Sequence, residues 1–140
     1  MTARLVILGF TGSRHGLTPP QTAVLRAMLQ AGKEFHHGDC IGADAAAAAI
    51  AHELGLVVVA HPPAEDGLRA FFPHSAAIQP ARPYLARNRQ IVAACDRLLA
   101  CPRAAQEERR SGTWYTVRFA ERMRKPVVVV LPDGGVQVRS

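Results

Sequence analysis

The chain has 140 residues, enough for one domain with a sizeable core, and its 49% hydrophobic content excludes a disordered tail. The apolar stretch 5–10 is too short for a bilayer span or a secretory core, so a folded cytoplasmic domain with no membrane partner is expected over residues 1–140. A formal net charge of +6 and a pI near 10.0 favour anionic partners without naming them.

Taken in order, short β-branched runs alternate with segments of helical period, the pattern of repeated βα units around a parallel sheet. Residues 4–9 predict a buried first strand. Thr18-Pro19-Pro20-Gln21 follows as a helix start, with threonine as N-cap, proline in the first turn and glutamine where a capping box needs it. Val24, Leu25, Met28 and Leu29 carry the apolar face, and Gly32 is expected to end the helix. A second strand at about 34–37 leads into Gly38-Asp39-Cys40-Ile41-Gly42-Ala43-Asp44. The alanine-rich stretch 45–54 predicts a helix that lies close to the sheet, since alanine is both small and the best helix former. Gly55 closes it, and 56–61 is the third strand.

From Pro62 to Pro83 there is no clear period, and a loop this long in a compact domain is usually functional or mobile. A short helix is expected at about 66–72. Residues 84–96 predict a helix with Ile91 and Cys95 facing inward, followed by a strand at 97–101, a polar loop at 102–111 and a helix at 112–124. Residues 126–131 form the last expected strand, and Pro132-Asp133-Gly134-Gly135 turns the chain into a short tail. The expected architecture is therefore α/β, a Rossmann-like three-layer sandwich on a mostly parallel sheet of five strands or slightly more. No internal repeat or domain boundary is visible.

In open α/β sheets, ligands bind beyond the C-terminal ends of the strands, near the point where strand order reverses. The glycines and small polar residues gather after strands one, two and four: Gly9-Phe10-Thr11-Gly12-Ser13-Arg14, then 38–44, then Ser111-Gly112-Thr113. All three clusters should share one edge. Glycine allows close backbone approach, and amides at a helix N-terminus are ready anion donors. Each cluster alone is weak evidence, since neither the dinucleotide glycine pattern nor a P-loop lysine is present. Their coincidence carries the argument.

Other residues carry two readings each. Asp44, in the first turn of the alanine-rich helix, either caps free amides or meets a ligand hydroxyl. Arg87 offers a guanidinium fork to phosphate or forms a surface ion pair. Arg87 and Arg89 flank Asn88 and point in different directions, so one of the two arginines is expected at the groove. Trp114 stacks on a base or packs with Val117 and Ala120 against the sheet, the second reading fitting its helical stripe. Between Pro102 and Pro126 seven basic and three acidic residues give +4, a solvated helix face or a binding surface. His36, His37, Asp39, Cys40, His61 and His74 lack metal-ligand spacing, and His36 and His37 alternate across a strand, so no metal is expected. Cys40 near a helix N-terminus invites a lowered thiol pKa. Three cysteines with no C-x-x-C pair favour a reducing compartment over a disulfide framework.

The ordered set Gly12-Ser13-Arg14, residues 38–44, Arg87-Asn88-Arg89 and Ser111-Gly112-Thr113-Trp114-Tyr115-Thr116 resembles the SLOG superfamily. That group includes the Rossmann-like domain of DNA-processing protein A, the lonely-guy cytokinin-activating enzymes and molybdenum-cofactor carriers. The resemblance spans residues 5–132. It implies a nucleotide or nucleotide-derived phosphorylated ligand in a glycine-lined groove. Phosphate contacts would fall to Ser111, Gly112 and Thr113, and first-loop contacts to Gly12, Ser13 and Arg14. Gly38, Asp39, Gly42, Asp44, Arg87, Asn88 and Thr116 complete the candidate set. The resemblance also implies self-association into a homo-oligomer, and no bound cofactor is expected.

The lonely-guy enzymes carry G-G-x-G-T-x-x-E, whose glutamate serves N-glycosidic cleavage; here Thr116 stands at that position. Without a carboxylate to stabilise an oxocarbenium-like transition state or activate water, that phosphoribohydrolase mechanism is disfavoured. Ligand binding is therefore the leading expectation. One alternative is an N-glycosidase in which Asp39, Asp44 or Glu65 supplies the missing carboxylate. The other is single-stranded nucleic-acid binding through the basic C-terminal third, against which stands a 6% aromatic content with no stacking platform.

Overall fold

The structure, a computed structural model, describes residues 6–139; positions 4 and 5 of the expected first strand lie outside them. Four helices and seven strands follow one another as β1 (Val6–Gly12), α1 (Pro19–Leu29), β2 (Gly32–His37), α2 (Ala43–Glu53), β3 (Val57–Ala60), β4 (Ala77–Ile78), α3 (Tyr84–Ala94), β5 (Arg97–Cys101), α4 (Gly112–Arg122), β6 (Val127–Val130) and β7 (Val136–Arg139). The sheet order is β4-β3-β2-β1-β5-β6-β7, parallel throughout except for β7, which runs antiparallel to β6. Strand order reverses between β1 and β5, the switch point of a doubly wound sheet.

The period of two along each strand sorts the side chains into two cores. On one face Leu8, Phe10, Phe35, Val58, Leu99 and Cys101 pack against Leu25 and Leu29 of α1 and against Ala43, Ala47, Ala48 and Ala51 of α2. On the other, Leu98, Ala100, Val127 and Val129 pack against Ile91 and Val92 of α3 and against Trp114, Val117 and Ala120 of α4. The result is a three-layer sandwich. The alanine stripe of α2 has no exposure at Ala43, Ala47, Ala48 or Ala51, which lets that helix sit close over β1 and β2. Trp114 is core, 2% exposed, so its packing reading holds.

The start of α1 matches expectation. The Thr18 hydroxyl accepts from the Gln21 amide, and the Gln21 side chain accepts from the Thr18 amide. Buried Gln21 also donates through Nε2 to the carbonyls of Pro102 and Val130, each at 2.9 Å, tying the helix start to the ends of β5 and β6.

Several local expectations are corrected. β1 continues to Gly12, so that glycine ends a strand rather than opening a loop. Gly32 begins β2 instead of ending α1, and α2 begins at Ala43, two residues early. The helix expected near 66–72 is only a 3-10 turn, Asp66–Leu68, and further along the 62–83 segment the two-residue strand β4 joins the sheet edge. The tail after Gly135 is β7: a turn with Gly134 at φ 89 and the Gly135 amide held by Asp133 Oδ1 at 2.7 Å folds it back onto β6.

Candidate functional site

A cleft of about 400 Å³ opens at the C-terminal ends of β1, β2 and β5, over the switch point. The three glycine-bearing segments meet there, together with one face of α3.

The ends of β1 and β2 are fitted to one another. Ser13 donates its amide to the Cys101 carbonyl and accepts through its own carbonyl from Ala43, the first residue of α2. Its hydroxyl accepts from the His15 amide at 3.0 Å. Gly42 has φ 92, and a Cβ there would overlap the Arg14 backbone carbonyl. A Cβ at Gly12 would lie 2.6 Å from that of Ala43. These glycines exist for close approach of chain to chain. The first-loop amide of Ser13 is already spent inside the protein.

Arg87 organises the centre. It is 2% exposed, and its Nη1 donates to the Gly38 carbonyl at the end of β2 and, at 3.1 Å, to the His61 carbonyl beyond β3. Nε donates to Asn88 Oδ1 at 2.7 Å, Nη2 lies 3.5 Å from Cys40 Sγ, and the guanidinium sits 4.7 Å from the Tyr84 ring centroid. A side chain at Gly38 would meet Arg87 Nη1 and Asp44 Oδ2, so that glycine is the space through which the two charged groups face the same backbone. Buried charge is held only where it is compensated, and here carbonyl dipoles and Asp44 do so. Arg89 points away, donating to the Tyr115 hydroxyl at 3.0 Å, so of the two arginines only Arg87 reaches the groove.

Asp44 settles between its two readings in a third way. Its Oδ2 accepts from the amides of Gly38 at 2.9 Å and Cys40 at 3.4 Å, capping the incoming loop rather than its own helix, while the residue lines the cleft. Burial pushes its carboxyl up to about 6, against the opposing pull of Arg87 and the two amides. Burial and the Asp44 charge push the Cys40 thiol up as well, so the helix start does not activate it.

At the opposite wall, Ser111 caps α4 by accepting from the Trp114 amide at 3.2 Å. The amides of Gly112 and Thr113 have no acceptor within the helix, and both residues line the cleft. Around the rim stand exposed Arg14, His15, Arg103 and Arg110; Arg103 is paired with Glu108 at 2.8 Å.

Of the thirteen candidate residues, Gly12, Ser13, Arg14, Gly38, Asp44, Arg87, Asn88, Ser111, Gly112 and Thr113 line this cleft. Asp39, Gly42 and Thr116 do not. Asp39, at φ 51 and 2% exposed, faces the 62–83 segment, accepting from Arg69 Nε and from the Phe72 amide, each at 2.9 Å. Thr116 is buried at 1% exposure with its hydroxyl bonded back to the Gly112 carbonyl at 2.9 Å.

Sequence reasoning missed Tyr84, Ile91, Arg103, Glu108 and Arg110 as cleft residues. A signal existed for the first two: Tyr84, Arg87, Asn88 and Ile91 fall at i, i+3, i+4 and i+7, one face of α3. The others sit in an aperiodic loop.

The histidines form a separate network. Glu34 Oε1 lies 2.6 Å from His36 Nε2, and His36 Nδ1 lies 2.7 Å from His61 Nε2, so the three side chains form one hydrogen-bonded chain. Burial holds His37 and His61 down to about 4. Among the described residues no group of three or more His, Cys, Asp or Glu side chains is placed to hold a metal ion. No described helix is long and apolar enough to cross a membrane.

No protein-family model matches this sequence, and no curated protein matches it. Solved structures do. The molybdenum cofactor binding protein of the phototrophic bacterium Rippkaea orientalis is 20% identical over 93% of this chain and 78% of its own, with a TM-score of 0.70. DNA processing protein A (DprA) of Streptococcus pneumoniae is 19% identical, with a TM-score of 0.67; the match covers 89% of this chain but only 50% of DprA. A third structure, TM1055, is 16% identical over 91% of this chain and 75% of its own, with a TM-score of 0.65. At these identities the likeness is one of architecture: by its sheet and its layers the chain shares the Rossmann-like α/β fold of these neighbours.

Proposed function

We propose that the protein binds a nucleotide or a nucleotide-derived phosphorylated small molecule in the switch-point cleft. One observation carries the reading: Gly112 and Thr113, whose amides have no acceptor within α4, line a cavity that Arg14 and Arg110 also line, and neither arginine has an acidic partner among the described residues. A phosphate there meets helix N-terminal amides, a helix dipole and two exposed cations together. That one structural neighbour is a molybdenum cofactor binding protein is consistent with small-molecule recognition in this fold.

Glycosidic cleavage is the weaker reading. Thr116 is committed to the helix backbone, and Asp39 to Arg69 and Phe72; Asp44 is the one carboxylate among the three suggested replacements that lines the cleft. Nucleic-acid binding draws on the likeness to DprA. However, part of the basic C-terminal charge is already paired: Arg103 with Glu108, Arg118 with Glu107, and Arg139 with both Glu107 and Glu121.

The test is titration of a mononucleotide panel and a single-stranded oligonucleotide at two salt concentrations. Gly112→Val should weaken mononucleotide binding at least about tenfold, since its side chain projects over the phosphate-binding amides. Ser13→Ala should weaken it less. Arg122→Ala with Arg124→Ala should leave it unchanged. Tight, salt-steep oligonucleotide binding that is lost with the paired arginine change, with no mononucleotide bound, would replace this reading with the nucleic-acid one.

A further inference from the structure

The cleft does not end at Tyr84. That residue also lines a second hollow of about 210 Å³, whose other walls are Pro63, Ala64, Glu65 and Pro83. Tyr84 therefore joins the two cavities. On the cleft side its ring lies beside the start of α4, with Cε1 3.8 Å from the position a Gly112 Cβ would take. The buried Arg87 guanidinium braces the same ring.

The hollow is built on firm backbone. Residues 62–64 run beside Arg82, with the Ala64 amide donating to the Arg82 carbonyl at 2.8 Å and the Arg82 amide to the Pro62 carbonyl at 3.2 Å. Glu65 stands at the N-cap position of the 3-10 turn with its side chain free of any capping bond, and it is the one charged residue lining a space otherwise walled by two prolines, an alanine and an aromatic ring. Among the described residues Glu65 has no ion-pair partner.

These walls suit a planar heterocycle. An aromatic ring and prolines offer flat apolar surface for stacking, and a carboxylate is an acceptor with two oxygens. It therefore selects a ring edge that presents two adjacent N–H donors. We propose that this hollow is a base-recognition subsite in which Tyr84 supports the ring and Glu65 accepts from a guanine-type edge, a ring N–H beside an exocyclic amine. The proposal rests on the reading of the main cleft as a mononucleotide site: phosphate at Gly112 and Thr113, the sugar passing Tyr84, the base beyond it. Adenine lacks the paired donors, hypoxanthine lacks the amine, and xanthine puts a carbonyl oxygen against the carboxylate.

The experiment is calorimetric titration of the full chain and of Glu65→Gln with guanosine, inosine, xanthosine and adenosine monophosphates. The wild-type protein should bind the guanosine nucleotide about ten- to a hundredfold more tightly than the other three, the range expected for hydrogen bonds to a charged group. Glu65→Gln should remove most of that preference and improve xanthosine monophosphate relative to the others, because an amide can donate to the carbonyl that a carboxylate repels. Tyr84→Ala should weaken all four together without altering their order. Equal binding of guanosine and adenosine nucleotides, or a preference that survives Glu65→Gln, overturns the subsite and leaves the phosphate cleft standing. Absence of binding by any of the four nucleotides overturns both.

Discussion

Gly42 and Gly112 show how differently two glycines of one site are used. At Gly42 the backbone is left-handed, with φ 92, and any Cβ would overlap the Arg14 carbonyl. Gly42→Ala should therefore cost at least about 1–3 kcal/mol from backbone strain alone, with steric overlap added to it. Urea unfolding at neutral pH measures this directly, and a change below about 0.5 kcal/mol would mean that the Arg14 loop yields freely. At Gly112, the first residue of α4, φ lies outside the left-handed region, and the nearest atom to a new Cβ is Tyr84 Cε1 at 3.8 Å. A side chain there enters the cavity and spares the fold, so Gly112→Val is a test of ligand contact and Gly42→Ala a test of architecture. Both positions were candidates in the sequence for the same reason, and only the neighbouring atoms separate them.

At the scale of elements, the 62–83 segment is the part that periodicity could not organise. It holds one 3-10 turn and a two-residue strand, and it is secured largely from outside itself. Asp39 binds Arg69 and the Phe72 amide; the Ile41 amide donates to the Leu68 carbonyl and the Ala70 amide to the Asp39 carbonyl. Phe72 lies edge-on to His37, and His74 stacks on His52 of α2 with ring centroids 4.3 Å apart. Asp39→Ala removes the acceptor for two of these groups and leaves the sheet untouched. Limited proteolysis of that variant should cut within 62–83 several times faster than wild type, with far-UV circular dichroism unchanged. Equal cleavage would show that the backbone bonds and aromatic contacts hold the segment without Asp39. Because this segment carries Glu65 and Pro63, its attachment also shapes the second hollow.

For the whole molecule, stability should depend on pH through buried groups that pull in opposite directions. His37 and His61 are held down to about 4 from an ordinary 6.5, chiefly by burial. They are neutral in the fold while the unfolded chain takes up protons below about pH 6.5, so their contribution is present above that pH and is lost as pH falls towards 4. Asp44 acts the other way. Its carboxyl rises from 3.8 to about 6, so between those values the folded state holds the extra proton and stability falls as pH rises. Two histidines against one aspartate give a net loss of stability on acidification from about 6.5 to 4. Asp44→Asn removes the opposing contribution and should steepen that loss. Melting temperatures of both proteins at pH 7, 5.5 and 4.5 measure this, and a variant with the shallower profile would reverse the sign assigned to Asp44.

Local chemistry was enough to reveal the α/β alternation, the capped start of α1, the close-packed alanine helix and the shared edge of the three glycine clusters. Each rests on short-range rules: strand period, capping residues, small side chains, and the requirement that parallel strands end on one side. What the sequence did not disclose are matters of distance between remote residues. β4 and β7 are short and exist through pairing with β3 and β6. Thr116 reads as a site residue through the family resemblance, yet the helix turns its hydroxyl back to Gly112. Asp39 and Asp44 are five residues apart, and one serves the outer loop while the other faces the cleft. Arg87 reads as an ambiguous surface cation, and becomes a buried centre because the ends of β2 and β3 both turn a carbonyl towards it. Periodicity determined which faces are apolar; only the folded chain decided which polar groups meet, because a buried charge is stable only where distant parts of the backbone supply its partners.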